Sequence, residues 1–136
     1  MGKEPKEAVI RYLESFQRIV IRAEEVSRDV KRMENIADRG GGSSARLQTR
    51  LAAKRAELAS LQGKRDSLLE EIQAAIDAVP DADARLLLEA RYLDGKSVKE
   101  FLEENPQYTR RTVYNHLDYG YSMIKLPDGN NAAMAG

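Results

Sequence analysis

Apolar and small residues recur at alternating three- and four-residue spacings from Val9 through Tyr12, Phe16, Ile19, Ala23, Val26, Val30 and Met33 to Ala37, with charged residues filling the positions between. That spacing keeps a single helical face apolar, so residues 7–38 are predicted to form one long amphipathic helix. At 1.5 Å per residue it spans roughly 45–50 Å. The run Arg39-Gly-Gly-Gly-Ser-Ser44 ends it, because three glycines impose no helical backbone angles and the serines offer the next helix an N-cap. A second series follows at Leu47, Leu51, Lys54, Leu58, Leu61, Arg65, Leu68, Ile72 and Ala75, predicting a helix over 45–78. Matched lengths and a short joint predict a long antiparallel helical hairpin, coiled-coil-like, over residues 1–79. Lys54 and Arg65 interrupt the second stripe, as polar insertions that set register and partner do in coiled coils. Gly63 weakens the middle of that helix by up to about 1 kcal/mol relative to alanine. The pattern leaves open whether the stripes pair within one chain or recruit a second copy.

Beyond Val79-Pro80 the elements become short. Asp81 or Asp83 can cap a helix over about Ala84–Tyr92, with Leu86, Leu87, Ala90 and Leu93 expected inward and Asp94-Gly95 closing it. Ser97-Val-Lys-Glu100 has the form of a capping box, and Val98, Phe101 and Leu102 supply an apolar face up to about Glu104. Asn105-Pro106 breaks the chain before Thr109, the predicted N-cap of a helix over 109–125 that buries Val113, Leu117, Tyr121 and Ile124. Its opposite face carries Arg110, Arg111, Tyr114, Asn115, Asp118 and Ser122. Two arginines in the first turn of the second helix is the arrangement by which a helix-turn-helix meets base edges in the major groove. Residues 80–125 therefore read as a DNA-binding module, and 126–136, without apolar periodicity, as a flexible tail.

The chain has 136 residues, 42% hydrophobic and 32% charged, with no Trp and two Phe, a composition of long helices rather than of a thick globular core. The fold class expected is all-α. Absence of cysteine removes disulfides and thiolate metal sites. No stretch approaches the roughly 18–20 apolar residues of a membrane span, so a soluble, cytoplasmic chain is expected, with no membrane partner. No glycine-rich phosphate loop, metalloprotease motif or nucleophile elbow is present, which points to a non-enzyme without cofactor. Asp81 and Asp83 could share a metal, but helix capping accounts for them. His116, the single histidine, sits next to the buried face as a partly packed edge residue, and without neighbouring ligands no metal site is expected. Between Asp81 and Lys125 there are seven Lys or Arg and eight Asp or Glu, a net charge of −1. Such a module binds phosphate weakly alone and needs dimerisation or a polymerase partner. The basic run Arg46, Arg50, Lys54, Arg55, Lys64 and Arg65 is either a solvated face paired with acids of the first helix or an auxiliary phosphate contact.

The segment VPDADARLLLEARYLDGKSVKEFLEENPQYTRRTVYNHLDYGYSMI resembles the C-terminal DNA-binding domain of sigma-70-type factors. A proline and acidic residues open a helix that ends in a Leu- and Tyr-containing segment before Gly; a short helix and a Thr-Arg recognition helix follow. Joined to a long helical N-terminal part, it is similar to small phage-encoded transcriptional regulators of the ArpU/RinA kind. The resemblance implies base reading by Arg110, Arg111 and Asn115, with Thr109, Thr112 and Tyr114 nearer the phosphates. It implies double-stranded DNA and RNA polymerase as partners, while the two apolar stripes lead to the expectation of a homo-oligomer, a dimer. Two departures stand out: the turn EENPQYT is longer than the family's and lacks its glycine, and Tyr119, Gly120 and Tyr121 replace a basic run. Two other classes fit the same pattern, a coiled-coil adaptor without DNA binding and a phage DNA-packaging component of the small-terminase kind.

Overall fold

The computed structural model describes residues 5–40 and 44–127. These residues form α1 (Lys6–Arg39), α2 (Ala45–Asp77), α3 (Ala82–Leu88), α4 (Val98–Glu104) and α5 (Arg110–Met123). The molecule is all-α, with no strand among the described residues and a hairpin-like pair in α1 and α2. No helix among them is long and apolar enough to cross a membrane. Most of the expected glycine turn (41–43) and of the expected tail (128–136) lies outside the described residues. Leu126, at the edge of that tail, is buried.

The chain groups into two compact units. One spans Arg18–Leu68 and is built from the middle of the hairpin. Arg22 meets Glu57 at 2.8 Å and Asp29 meets Lys54 at 3.7 Å, so α1 and α2 run antiparallel here. Val26, Val30 and Leu51 are buried between the helices, with Met33, Leu58 and Leu61 packed on them. Lys54, the predicted interruption of the stripe, is half-buried and lies between Asp29 and Glu57. Arg55 pairs with Glu34 at 2.8 Å, so part of the basic run is neutralised by acids of α1.

The other unit combines the described residues up to Gln17 with those from Leu69 onward. The start of α1 and the end of α2 meet where the Tyr12 hydroxyl donates to Glu71 at 3.2 Å. Val9, Leu13, Ile72, Ile76 and Val79 are fully buried, as are Leu88, Val113 and Ile124 from the short helices. Apolar burial at roughly 25 cal/mol per Å² is the main force holding such an assembly together. α3 crosses α5 at Gly120, where an added Cβ would lie 2.9 Å from Leu88 Cδ1. The absent side chain is what lets Leu88 and Ala84 pack directly against the α5 backbone.

The inward face of α3 differs from the expectation. Leu86 is 44% exposed, and the buried positions are Ala84, Leu87, Leu88, Ala90 and Tyr92. A run of three leucines does not itself show which pair faces the core; Ala84 sets the face, since 84, 87 and 88 share one side of a helix. After Leu88 the helix continues as one π turn, Glu89–Leu93, in which the Asp94 N–H reaches the Glu89 carbonyl at 2.9 Å. Tyr92 is buried within this wider turn, while Leu93 stays partly exposed. Gly95, at φ +75°, closes the element as predicted, and the Gln17 amide donates to the carbonyls of Tyr92 and Leu93 at 3.2 and 3.0 Å. These bonds satisfy carbonyls that a helix end leaves without intrahelical partners.

Candidate nucleic-acid interface

α4 opens with the predicted capping box. The Ser97 side chain accepts from the Glu100 N–H, and the Glu100 carboxylate accepts from the Ser97 N–H at 2.8 Å, which holds Glu100 below the usual carboxylate range. The turn that follows is fixed by Asn105, whose side-chain amide donates to the Phe101 carbonyl at 2.9 Å. A second reciprocal cap starts α5. Thr109 Oγ1 accepts from the Thr112 N–H at 3.2 Å, and Thr112 Oγ1 accepts from the Thr109 N–H at 3.0 Å. Sequence spacing foresees Thr109 as cap; the threonine at N3 takes the part that Glu or Gln plays in the usual box.

Val113, Leu117 and Tyr121 turn inward, and Thr109, Arg110, Arg111, Thr112, Tyr114 and Asn115 are all exposed on the first two turns. Neither Arg110 nor Arg111 has a carboxylate partner among the described residues, so both guanidinium forks face solvent. The helix N-terminus adds a partial positive charge beside them. Thr109 and Thr112 are less available, because their hydroxyls already serve the cap. Farther along, Asp118 is engaged by Lys6 Nζ at 2.8 Å, and that ammonium also sits 5.8 Å from the Tyr121 ring centroid. The start of α1 thus leans on the later turns of α5 and leaves its first turns open.

Two hydroxyls support the inner side. Tyr92 and Tyr121 share a hydrogen bond of 2.6 Å, with their rings edge to face at 6.2 Å. Burial pushes both phenols up from their ordinary value near 10. A small, half-open cleft of about 10 Å³, lined by Leu87, Phe101, Val113 and Leu117 together with Arg91 and Lys96, has room for no more than about one water.

Tyr108, which sequence reasoning passed over, joins three elements. Its ring packs on Phe101 at 5.3 Å, its hydroxyl donates to Asp83 Oδ1, and its edge meets His116 at 6.3 Å. Its place immediately before the N-cap, where an apolar staple residue commonly sits, is the signal that could have found it. The expectation that His116 lacks acidic neighbours does not hold. Asp81 Oδ2 lies 3.4 Å from His116 Nδ1, and Asp83 Oδ2 lies 3.9 Å from Nε2. One ligand atom from each of the three falls in a set within 4.8 Å of one another. These carboxylates are far from His116 in sequence and reach it only because α3 crosses α5.

No family model, curated protein or solved structure matches the chain.

Proposed function

We propose that this protein is a sequence-specific DNA-binding transcriptional regulator, sigma-factor-like, that lays α5 in the major groove. The observation that carries the reading is the pair Arg110 and Arg111, solvent-facing and without carboxylate partners in the first turn of a helix fixed by its own capping box. Arginine gives a bidentate pair to guanine, and Asn115, one turn on, can do the same to adenine. In this reading Tyr114 and the backbone at the α5 N-terminus meet the adjoining phosphates. Catalysis has no part in this reading.

With a net charge of −1 over 81–125, one module binds weakly, so the working form is a dimer or a complex with RNA polymerase. The hairpin unit supports self-association, since among its described residues only Ala23, Val26, Val30 and Leu51 are buried and Ile21 and Ile36 remain 53% and 54% exposed. Paired modules would read two half-sites about one helical turn of DNA apart.

Fluorescence anisotropy with random and source-genome DNA across a salt series tests the reading. The Arg110→Ala/Arg111→Ala protein is expected to lose selective binding, at roughly 1–3 kcal/mol for each base pair read, with unchanged helical content. Selective binding retained by the double variant overturns the site. No binding by either protein at low salt overturns DNA recognition by the isolated chain and favours a coiled-coil adaptor. A monomer across the micromolar range in sedimentation would rule out the dimer.

A further inference from the structure

We infer that Asp81, Asp83 and His116 form a site for one divalent transition-metal ion, of the zinc or manganese class, tying the start of α3 to the second turn of α5. The donor set is one imidazole nitrogen and two carboxylate oxygens, with ligand atoms already within 4.8 Å of one another. Ions of this class bind such atoms at about 2.0–2.2 Å, so the three ligands must close to roughly 3–4 Å apart. The three side chains are 31% to 49% exposed, which leaves them room to rotate toward an ion beside the Tyr108 ring.

The backbone positions are fixed independently of any ion. Asp81 is the N-cap of α3, and the Oδ2 that faces His116 Nδ1 is the same oxygen that accepts from the Ala84 N–H at 2.8 Å, so an ion there would share it with the cap. Asp83 sits in the first turn of α3, and Tyr108 occupies its Oδ1, which leaves Oδ2 toward the imidazole. A hydroxyl donating to the outer oxygen of a ligating carboxylate orients it, as outer-shell partners do in metal sites. The imidazole argues against magnesium or calcium, which prefer all-oxygen shells, and the absence of thiolates argues against copper(I). Three protein ligands leave positions open to water.

A bound dication would cancel the two negative charges that flank the first turns of α5 and so raise affinity for a polyanion. That last step rests on the DNA-binding reading; the ion site itself does not.

The test uses the untagged full chain, stripped with chelator and titrated calorimetrically with zinc chloride alone, manganese and magnesium chlorides serving as comparison arms. One zinc ion per chain is expected, with a raised melting temperature and much weaker magnesium uptake. His116→Gln and Asp83→Asn are each expected to weaken zinc binding at least roughly tenfold. Asp81→Asn keeps a competent cap and should weaken it as well. No uptake at millimolar zinc, or uptake undiminished in His116→Gln and Asp83→Asn, overturns the site. In the DNA assay, zinc should tighten binding by the wild type and not by Asp83→Asn. Zinc uptake with unchanged DNA affinity overturns the coupling alone, and a failure of DNA binding leaves the calorimetric result decisive for the site.

Discussion

Single residues decide how closely the short helices approach. Replacing Gly120 by valine puts a branched side chain where Leu88 Cδ1 would stand 2.9 Å from the new Cβ, and Leu88 is fully buried. A loss of about 2–3 kcal/mol is expected, read as a lower urea midpoint with unchanged slope. Gly63 is the contrast: nothing lies within 4 Å of a Cβ there, so Gly63→Ala is expected to stabilise α2 by up to about 1 kcal/mol. The roles of Asp81 can also be separated. Asp81→Ala removes the acceptor of the Ala84 N–H and is expected to cost about 1 kcal/mol, whereas Asp81→Asn, which can still cap, should cost only a few tenths. Local roles of this kind were legible in the sequence: Thr109, Ser97 and Gly95 announce themselves by spacing to neighbours three or four positions away. Tyr108, Gln17 and Gly120 did not, because Asp83, Tyr92 and Leu88 are brought to them by helix crossings that no window of local sequence contains.

Among the elements, α5 was read most fully and α3 least. The buried set of α5 at Val113, Leu117 and Tyr121 follows from a simple 3/4 spacing, and its N-cap Thr109 follows from residue type. In α3 the triple leucine and the π turn defeat that method, since apolar residues cover more than one face and the wider turn changes the angular step. The π turn has a measurable consequence through Tyr92. Its phenol, like those of Tyr121 and Tyr12, is raised in the folded chain by burial above the ordinary value near 10. The folded state therefore holds protons that the unfolded chain releases from about pH 10 upward. Their stabilising contribution is complete below pH 10 and is lost as pH rises beyond it. Melting curves taken from pH 8 to 11.5 should fall steeply only in the upper part of the range. Tyr92→Phe, which does not ionise and breaks the bond to Tyr121, should be less stable at pH 8 and lose less on the way up.

For the molecule as a whole, the short helices do not share a core only with one another. Val9, Leu13, Ile72 and Ile76, from the long helices, are fully buried in the same unit, and Gln17 closes the π turn. A fragment comprising residues 80–127 is accordingly expected to be largely unfolded by circular dichroism, and the full chain to be cooperative. A folded, DNA-binding fragment would show that the first seventeen residues are dispensable. The unit is drawn from both ends of the chain around roughly 50 intervening residues, a separation whose closure entropy grows only as the logarithm of its length. During synthesis, Val9 and Leu13 leave the ribosome long before the residues from Leu69 onward that share their unit. A nascent chain therefore holds the hairpin unit before α5 has its support, and a product that stops before Leu69 leaves Val9 and Leu13 without the residues that bury them.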